Sequence, residues 1–565
     1  MRLIRNIETH FSTVPEIDTT RSIFDYSHGN TTSFNVGELI PIAWEEVLPG
    51  DTWSWKTSTV ARLQTLLTPM MGNLYMDVFA HFIPKRLTWI HSKEFYGENS
   101  SGPWAQQVTY TEPCIESPTG GWSVGSIADY MGIPPLVEFK TIAHGGDDLL
   151  PSALPLRALA LVIQEWFRDE NLTDPLNIPL TDSNQTGSNG TNYINDVVNG
   201  GMPFKVAKLH DMFSSALPDP QKNSNPVTFP LISGNKAPVS AGDNHATNNM
   251  ALTWRHWDGS NWTTGHHEAL LSQGSDPVYA AMYEGAATGT LQNGHGIEPA
   301  NLWADLSSSV GAVTVNQLRL AFQMQKFYEE MARGGSRYRE LVRSLFKTSI
   351  PDARVQIPEY LGGKRFPLSI HQVANTAAST NENLGDLGAM SNTSDIDDTF
   401  IKSFSEHGYI ILTACVRYDH VLSQGLARKW TRHTFWDHYI PTLACIGEQP
   451  IFKYELDATV RSGENRKAVF GYNEAWIHYR RANSTITGEM RPGVPNSLAT
   501  WHLGDYYTAM PTLSDSWIRE DKSNVDRVLA VTSAVANQIF ADFWFDISVT
   551  RVMPTFSVPG LIDHF

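Results

Sequence analysis

Alternation of apolar and polar residues predicts β-strands near both ends of the chain. Over residues 74–83 every second side chain is apolar, its neighbours form a mixed face, and Pro84 follows. Residues 542–549 show the same period of two, so both segments are predicted to be half-buried strands. Further strands are predicted over residues 39–47, 52–63 and 409–418.

Helical spacing of apolar residues predicts only a few helices. One is predicted to begin at Pro155, whose fixed φ suits a first helical position, and to run to about Arg168. The strongest begins at Thr314, whose hydroxyl group can cap the helix while Gln317 reaches back, and it ends at Gly334. Its apolar face comprises Leu320, Met324, Phe327 and Met331.

Strong strands at both ends of a long chain predict a closed, mainly β fold. Sandwich and barrel architectures pair strands that lie far apart in the sequence. No Pro/Ser-rich linker or block of like charge divides the chain. Residues 1–565 are therefore predicted to form a single elaborated domain.

A segment of different composition, residues 240–311, interrupts this pattern. It is rich in Gly, Asn, Thr and Ala, and it has no Lys or Arg between Arg255 and Arg319. It contains too many large aromatic residues for a solvated linker: Trp254, Trp257, Trp262, Tyr279, Tyr283 and Trp303. We therefore expect a folded surface insertion with its own small core.

Composition and charge narrow the functional classes. The 565 residues are 41% hydrophobic, and 41 Gly and 32 Pro favour strands joined by long loops. A formal net charge of −17 argues against a protein whose main task is binding phosphates, although local contact with nucleic acid stays open.

The cysteines and the N-terminal residues favour assembly in the cytoplasm. Cys114, Cys415 and Cys445 have no paired or metal-type spacing and are predicted to be buried free thiols in a reducing compartment. The first residues lack the apolar run of a signal peptide, and no stretch reaches the ~20 apolar residues that cross a bilayer. We therefore expect no membrane insertion.

Catalytic motifs are not found. Gly334-Gly335-Ser336 lacks the second glycine of a nucleophile elbow, and no glycine-rich turn leads into Lys-Ser/Thr. His266-His267-Glu268 is the most metal-like cluster, yet its spacing is not that of a helix-borne zinc pair, so metal binding stays unknown. No catalytic residue and no cofactor are expected.

One basic stretch is more suggestive. Arg428, Lys429, Arg432 and His433 are interleaved with Trp430, and cations beside flat rings can hold phosphates and stack bases of single-stranded nucleic acid. Arginines at such a position can equally bridge carboxylates of a neighbouring subunit. The sequence leaves both interpretations open.

A second functional class follows from the aromatic content. Sugars stack on aromatic faces, and the chain has 17 Trp together with several carboxylate pairs. A carbohydrate-binding or carbohydrate-active β-sandwich is therefore the alternative hypothesis.

Long stretches of the chain closely resemble the major capsid protein of microviruses, in particular of the gokushovirus type. The similarity extends in order along nearly the whole chain. It is carried by Leu-Ile-Pro-Ile (39–42), Glu-Val-Leu-Pro-Gly-Asp-Thr (46–52), Ser-Ala-Leu-Pro-Asp-Pro-Gln-Lys (215–222), Ala-Arg-Gly-Gly-Ser-Arg-Tyr (332–338), Pro-Glu-Tyr-Leu-Gly-Gly (358–363), Gly-Glu-Gln-Pro (447–450), Val-Phe-Gly-Tyr (469–472) and Ser-Val-Pro-Gly-Leu-Ile-Asp-His-Phe (557–565).

The resemblance implies a single eight-stranded antiparallel jelly roll with long inter-strand loops. It implies a structural virion protein, not an enzyme, that assembles through pentamers into a T=1 icosahedral shell around a circular single-stranded DNA phage genome. Residues 240–311 would form a protrusion at the three-fold axes and contribute to host attachment. The implied partners are further copies of the chain, the DNA on the inner face, a small basic packaging protein, a pilot protein and a host surface receptor.

Overall fold

The computed structural model divides the chain into two compact units, which are described separately. One unit comprises Met1–Lys222 and Glu329–Phe565, and the other comprises Asn223–Tyr328. The structure describes residues 20–99, 102, 109–140, 149–222, 314–376 and 384–556, together with short strands between residues 239 and 304.

Two antiparallel sheets form the centre of the first unit. Their strands are β1 (Arg21–Asp25), β2 (His28–Phe34), β3 (Glu38–Val47), β4 (Thr52–Leu63), β5 (Leu74–Pro84), β6 (Phe204–Lys205), β7 (Glu359–Pro367), β8 (Thr393–Ser403), β9 (Gly408–Tyr418) and β10 (Ile539–Val552). The first sheet has the order β1-β10-β4-β8, with β2 also paired to β10, and the second has the order β7-β5-β9-β3-β6. The prediction of a mainly β fold of antiparallel sheets is confirmed.

The main hydrophobic core lies between these sheets. Trp55 and Phe545 of the first sheet belong to the same buried cluster as Met76 and Leu412 of the second. The rings of Trp55 and Phe545 meet edge to face, with centroids 5.6 Å apart. Strands from both ends of the chain therefore close one core, as the positions of the predicted strands indicated.

The predicted half-burial holds for β10 and fails for β5. On β10 the alternate side chains from Ile539 to Val549 are buried and those between them are exposed. On β5 both Asp77 and His81 are only 1% exposed. A second buried cluster, formed mainly by residues 83–206, covers the outer face of the sheet that contains β5. The polar residues of this strand are consequently buried, which the alternation alone did not indicate.

Asp77 is buried on β5 between two arginines. Its Oδ2 atom accepts from Arg365 Nη2 at 3.0 Å and from Arg417 Nε at 2.9 Å. Arg365 lies directly across from Asp77 on the neighbouring strand β7. The charge of the buried carboxylate is therefore compensated by residues of the two strands that flank β5.

Most helices of the described residues are short. They are α1 (Ser92–Phe95), α2 (Ile127–Tyr130), α3 (Leu154–Val162), α4 (Val315–Gly334), α5 (Tyr338–Phe346), α6 (Asp352–Val355), α7 (Ile477–Arg480), α8 (Asp515–Ile518) and α9 (Ser523–Asp526). A π-helical turn, Ile163–Phe167, continues α3, and 3₁₀ turns span Lys85–Leu87, Val197–Asn199, Arg428–Trp430, Phe435–Asp437, Pro441–Leu443, Lys453–Glu455, Gly488–Met490 and Ala499–Trp501. No helix within the described residues is long and apolar enough to cross a membrane.

The predicted capping box begins α4. Thr314 Oγ1 accepts from the Gln317 backbone N–H at 3.2 Å, and Gln317 Oε1 accepts from the Thr314 backbone N–H at 2.9 Å. The apolar face of the helix stays open, with Leu320 61% and Met324 41% exposed. Local sequence therefore determines where this helix starts.

Shorter strand pairs complete the first unit. Ile370–Ala374 pairs with Leu387–Ser391, Glu448–Phe452 pairs with Val469–Glu474, and Ile115–Glu116 runs parallel to Gln185–Thr186. The pair that contains Glu448–Phe452 lies next in the chain to the predicted basic stretch and supports part of it.

All three cysteines are free, as predicted, but their burial differs. Cys415 is buried on β9, Cys114 is partly buried and Cys445 is exposed. The prediction of three buried thiols was therefore wrong for Cys445. The apolar residues around it belong to a surface loop that follows the Pro441–Leu443 turn and do not contribute to the core.

Apart from the first part of α4, the described parts of the second unit are short strands. Trp254–Trp257 pairs with both Trp262–Gly265 and Ile297–Pro299, and Ala269–Leu271 pairs with Ala280–Met282. Val239–Ala241 pairs with Leu302–Ala304, so the two ends of the predicted insertion come together in one antiparallel pair.

Candidate nucleic-acid interface

The predicted basic and aromatic stretch follows β9, and its first residue is held by the neighbouring strand pair. Arg428 opens the 3₁₀ turn Arg428–Trp430. Its Nη1 atom donates to the carbonyl oxygen of Pro450 at 2.7 Å, and its guanidinium group lies 5.2 Å from the centre of the Phe452 ring. The Arg428 side chain is therefore oriented by a backbone acceptor and by a ring on the strand Glu448–Phe452.

Arg432 and the exposed rings form the outer part of this site. The Arg432 guanidinium group lies 4.0 Å from the centre of the Tyr479 ring, so it is stacked on α7. Lys429 and His433 are exposed. Trp430 is 70% exposed, and Phe435 and Trp436 are each 69% exposed. Flat rings of this size that remain open to solvent are available to a ligand or to a partner.

Four of the five predicted residues line one pocket of about 370 Å³, the basic pocket. They are Arg428, Lys429, Trp430 and Arg432, whereas His433 is not among the lining residues. The fold adds Arg481 and Arg491, which sequence reasoning missed because they lie about fifty and about sixty residues downstream. Their separate positions in the sequence give no local signal of this convergence.

Buried polar groups form the base of the basic pocket. Glu455 Oε2 lies 3.3 Å from His478 Nε2, and Glu455 Oε1 accepts from the Phe452 backbone N–H at 3.1 Å. Burial raises the pKa of Glu455 to about 7, although the Phe452 N–H and Arg428 act to lower it. Burial lowers the pKa of His478 to about 4, and Arg428 and Arg432 lower it further. His478 is therefore neutral near pH 7.

The basic pocket can bind anions and flat rings, and its lining residues do not form a catalytic group. Five cationic side chains surround the space above a single carboxyl group, Glu455. Guanidinium groups donate to phosphate oxygens in a planar fork, and exposed indole rings stack on bases. The same groups can bind the carboxylates of a neighbouring copy. Both interpretations of the sequence therefore remain physically open.

The other predicted site residues are only partly described. Trp254, Trp257, Trp262 and Trp303 lie on strands of the second unit, and the register pairs Trp257 with Trp262. Tyr279, Tyr283 and the cluster His266-His267-Glu268 lie outside the described residues. Within the part of the chain that is described, no group of three His, Cys, Asp or Glu side chains could hold a metal ion.

Comparison with known proteins decides the family. The family described as "Capsid protein (F protein)" matches residues 12–561. The chain belongs to this family of phage capsid proteins. It is 37% identical to capsid protein VP1 of Spiroplasma virus 4, over 96% of this chain and 95% of that protein. It is 34% identical to capsid protein VP1 of Bdellovibrio phage phiMH2K, over 99% of both chains, and 32% identical to capsid protein VP1 of Chlamydia phage 1, over 98% of both.

This capsid protein is thus a major structural component of a microvirus virion of the gokushovirus type. Its relatives are shell proteins and not enzymes, which agrees with the lack of a catalytic motif in the sequence. A shell protein functions by binding further copies of itself, so the broad β-sandwich and its long loops are understood as a scaffold for such contacts.

Proposed function

We propose that this capsid protein assembles through pentamers into a T=1 icosahedral shell around a circular single-stranded DNA phage genome. Membership of the capsid family and the two-sheet sandwich support the shell role. A small closed shell needs one rigid subunit with several different contact surfaces, and long loops around a stable core meet this need.

The basic pocket is the part of the subunit that we assign to the DNA on the inner face of the shell. The observation that carries this assignment is the convergence of Arg428, Lys429, Arg432, Arg481 and Arg491 beside the exposed ring of Trp430. Glu455 is the single acidic residue that lines this pocket, and its ion-pair distances are to Arg428 and His478. Cations without carboxylate partners are free to bind phosphates.

Other components of the same phage complete this proposal. The formal net charge of −17 means that one subunit adds more negative than positive charge to the particle. A small basic packaging protein would therefore neutralise most of the DNA charge, while the basic pocket supplies local contacts. A pilot protein and a host surface receptor are the remaining partners, and we assign receptor contact to the insertion, residues 240–311.

Assembly is tested directly by expressing the full chain, alone and together with the other phage proteins, and imaging the products by electron microscopy. We expect pentamers and closed particles of 60 subunits, since T=1 symmetry places one copy in each of about 60 equivalent positions. A protein that stays monomeric under every assembly condition would contradict the proposal.

Replacing Arg428, Lys429 and Arg432 together by alanine is expected to weaken binding of single-stranded DNA and to make it less dependent on salt. The slope of log K against log salt is negative, and each phosphate contact that is lost makes it less steep by about 0.7. The loss of three contacts makes it less steep by about 2. The measurement is filter binding of an oligonucleotide over a range of salt concentrations, followed by the DNA content of assembled particles.

The matched control replaces Lys56, Lys93 and Arg354 by alanine, since these cations are exposed and do not line the basic pocket. It changes the net charge by the same amount and should leave the salt slope nearly unchanged. Equal slopes and equal DNA content for the two triple variants would show that the basic pocket has no specific role, and an inter-subunit contact would then be the better interpretation.

A further inference from the structure

Glu455 occupies a distinctive position within the basic pocket. Among the residues that line this pocket it is the single acidic one, and its side chain is 2% exposed. The carboxyl group is held by the Phe452 backbone N–H, lies 3.3 Å from His478 and lies 3.8 Å from Arg428. A negative charge at this point is therefore enclosed, close to the cations, and next to the space that a bound phosphate would occupy.

A negative charge on Glu455 weakens the binding of a phosphate in the basic pocket. A carboxylate in a partly desolvated site repels a phosphate more strongly than the same group in water, because the effective dielectric constant is lower. An ionised Glu455 also attracts Arg428 and Arg432, which are the groups that would otherwise bind the phosphate. A protonated Glu455 has neither effect, so the two states of this one side chain give the pocket different affinities for an anion.

Two other titratable groups near Glu455, His478 and Asp437, keep one charge state near neutral pH. Burial holds the pKa of His478 at about 4, so this imidazole stays uncharged. Asp437, beside Arg428 and Arg432 in the adjoining cleft, accepts from the Thr434 backbone N–H, which lowers the pKa of its carboxyl group. Lys429, Arg481 and Arg491 are the remaining cationic side chains that line the pocket. Glu455 is thus the group at the base of the pocket that changes state.

We propose that the basic pocket binds a DNA phosphate together with a proton on the Glu455 carboxyl group. This inference rests on the proposed function, since it describes how the DNA contact is regulated. Binding of the phosphate favours the protonated acid, and protonation in turn favours binding, because the two equilibria are linked. Mild acidification therefore tightens the contact between shell and DNA, and a rise in pH loosens it.

The size of the effect follows from the acid dissociation of Glu455. Burial raises its pKa to about 7, so the protonated fraction falls about tenfold between about pH 6 and about pH 8. If the phosphate binds only the protonated form, the affinity falls by the same factor. If the phosphate also binds the ionised form weakly, the affinity changes by less than tenfold, but the change is still measurable.

The test measures filter binding of an oligothymidylate without terminal phosphates to the full-length, unassembled protein at about pH 6, 7 and 8 and at constant salt. Wild type should lose about tenfold in affinity over this range. Glu455→Gln mimics the protonated acid, so it should bind at about pH 8 as tightly as wild type binds at about pH 6. Glu489→Gln is the matched control, since this exposed carboxylate does not line the pocket, and it should retain the pH dependence of wild type.

A second measurement uses only the wild-type protein, so it does not require that a variant folds. Calorimetric titration of wild type in two buffers of different ionisation enthalpy should show uptake of about half a proton per bound oligonucleotide at about pH 7, where Glu455 is half ionised. This inference is overturned if wild type and Glu455→Gln show the same pH profile, or if wild type takes up no proton. If the triple alanine variant loses binding in that case, the proposed DNA contact itself still stands. Absence of binding at every pH, or binding that the triple alanine variant retains, overturns the proposed DNA contact itself.

Discussion

Replacing His420 by alanine is expected to lower the free energy of unfolding of the subunit by about 3–5 kcal/mol, because it leaves two buried carboxylates without their shared cation. His420 Nδ1 lies 2.9 Å from Asp505 and its Nε2 lies 3.0 Å from Glu520. The three side chains are 4%, 5% and 0% exposed. Equilibrium urea unfolding followed by tryptophan fluorescence measures the change.

The matched control is His371→Ala, which removes an exposed histidine from the strand Ile370–Ala374 and should shift the unfolding midpoint very little. If both variants unfold at the wild-type urea concentration, the buried cluster contributes no net stability. A His420→Gln variant keeps a polar group but no charge, so most of the loss should remain in it.

The same cluster predicts how the stability of wild type depends on pH. Burial opposes the charge on His420, yet Asp505 and Glu520 together raise its pKa from 6.5 to about 10. A group whose pKa is higher in the folded than in the unfolded state makes its full contribution to folded-state stability when the pH is below its unfolded-state pKa. The contribution of His420 should therefore be complete below about pH 6.5 and should be lost as the pH rises towards about 10. The alanine variant should lack this decline.

Local periodicity was sufficient to predict several elements of the fold. The strand predicted over residues 52–63 has the same bounds as β4, in which every second side chain enters the core. Thr314 and Gln317 likewise locate the start of α4, since a capping box depends only on neighbouring residues. Both features depend on residues that are close together in the sequence.

Features that depend on distant segments were not predictable in this way. Asp77 on β5 is buried because residues 83–206 cover its sheet, and its arginine partners come from two other strands. The alternation of β5 carries no information about that cover. His420, Asp505 and Glu520 are spread over a hundred residues, so no motif indicates that they meet.

The candidate site shows the same division. The cations at 428–432 and the ring of Trp430 are adjacent in the sequence, and their composition alone indicates a contact surface. Glu455 gives the pocket its proposed dependence on protonation, and a single buried carboxyl group has no signature in the sequence. Only the position of the strand pair beneath the loop shows that this acid lies among the cations.

Removing most of the insertion is expected to abolish attachment to host cells while the sandwich stays folded. The register of the closing strands suggests how to make the deletion, because Ala241 lies directly across from Leu302. Residues 242–301 can therefore be replaced by an Asn-Gly turn, since two-residue turns of this type join antiparallel strands whose end residues face each other. Trp254, Trp257 and Trp262 are lost with the deleted segment.

The measurement is the fraction of variant particles that sediment with host cells, compared with the fraction that sediments with cells of an unrelated bacterium. We expect host binding to fall to the unrelated-cell level, because the deletion removes most of the large aromatic residues that the insertion would offer to a receptor. Particle yield and urea unfolding of the subunit serve as controls and should match wild type. Retained attachment would exclude the insertion as the receptor-binding part, whereas loss of soluble protein would show that its strands stabilise the rest of the subunit.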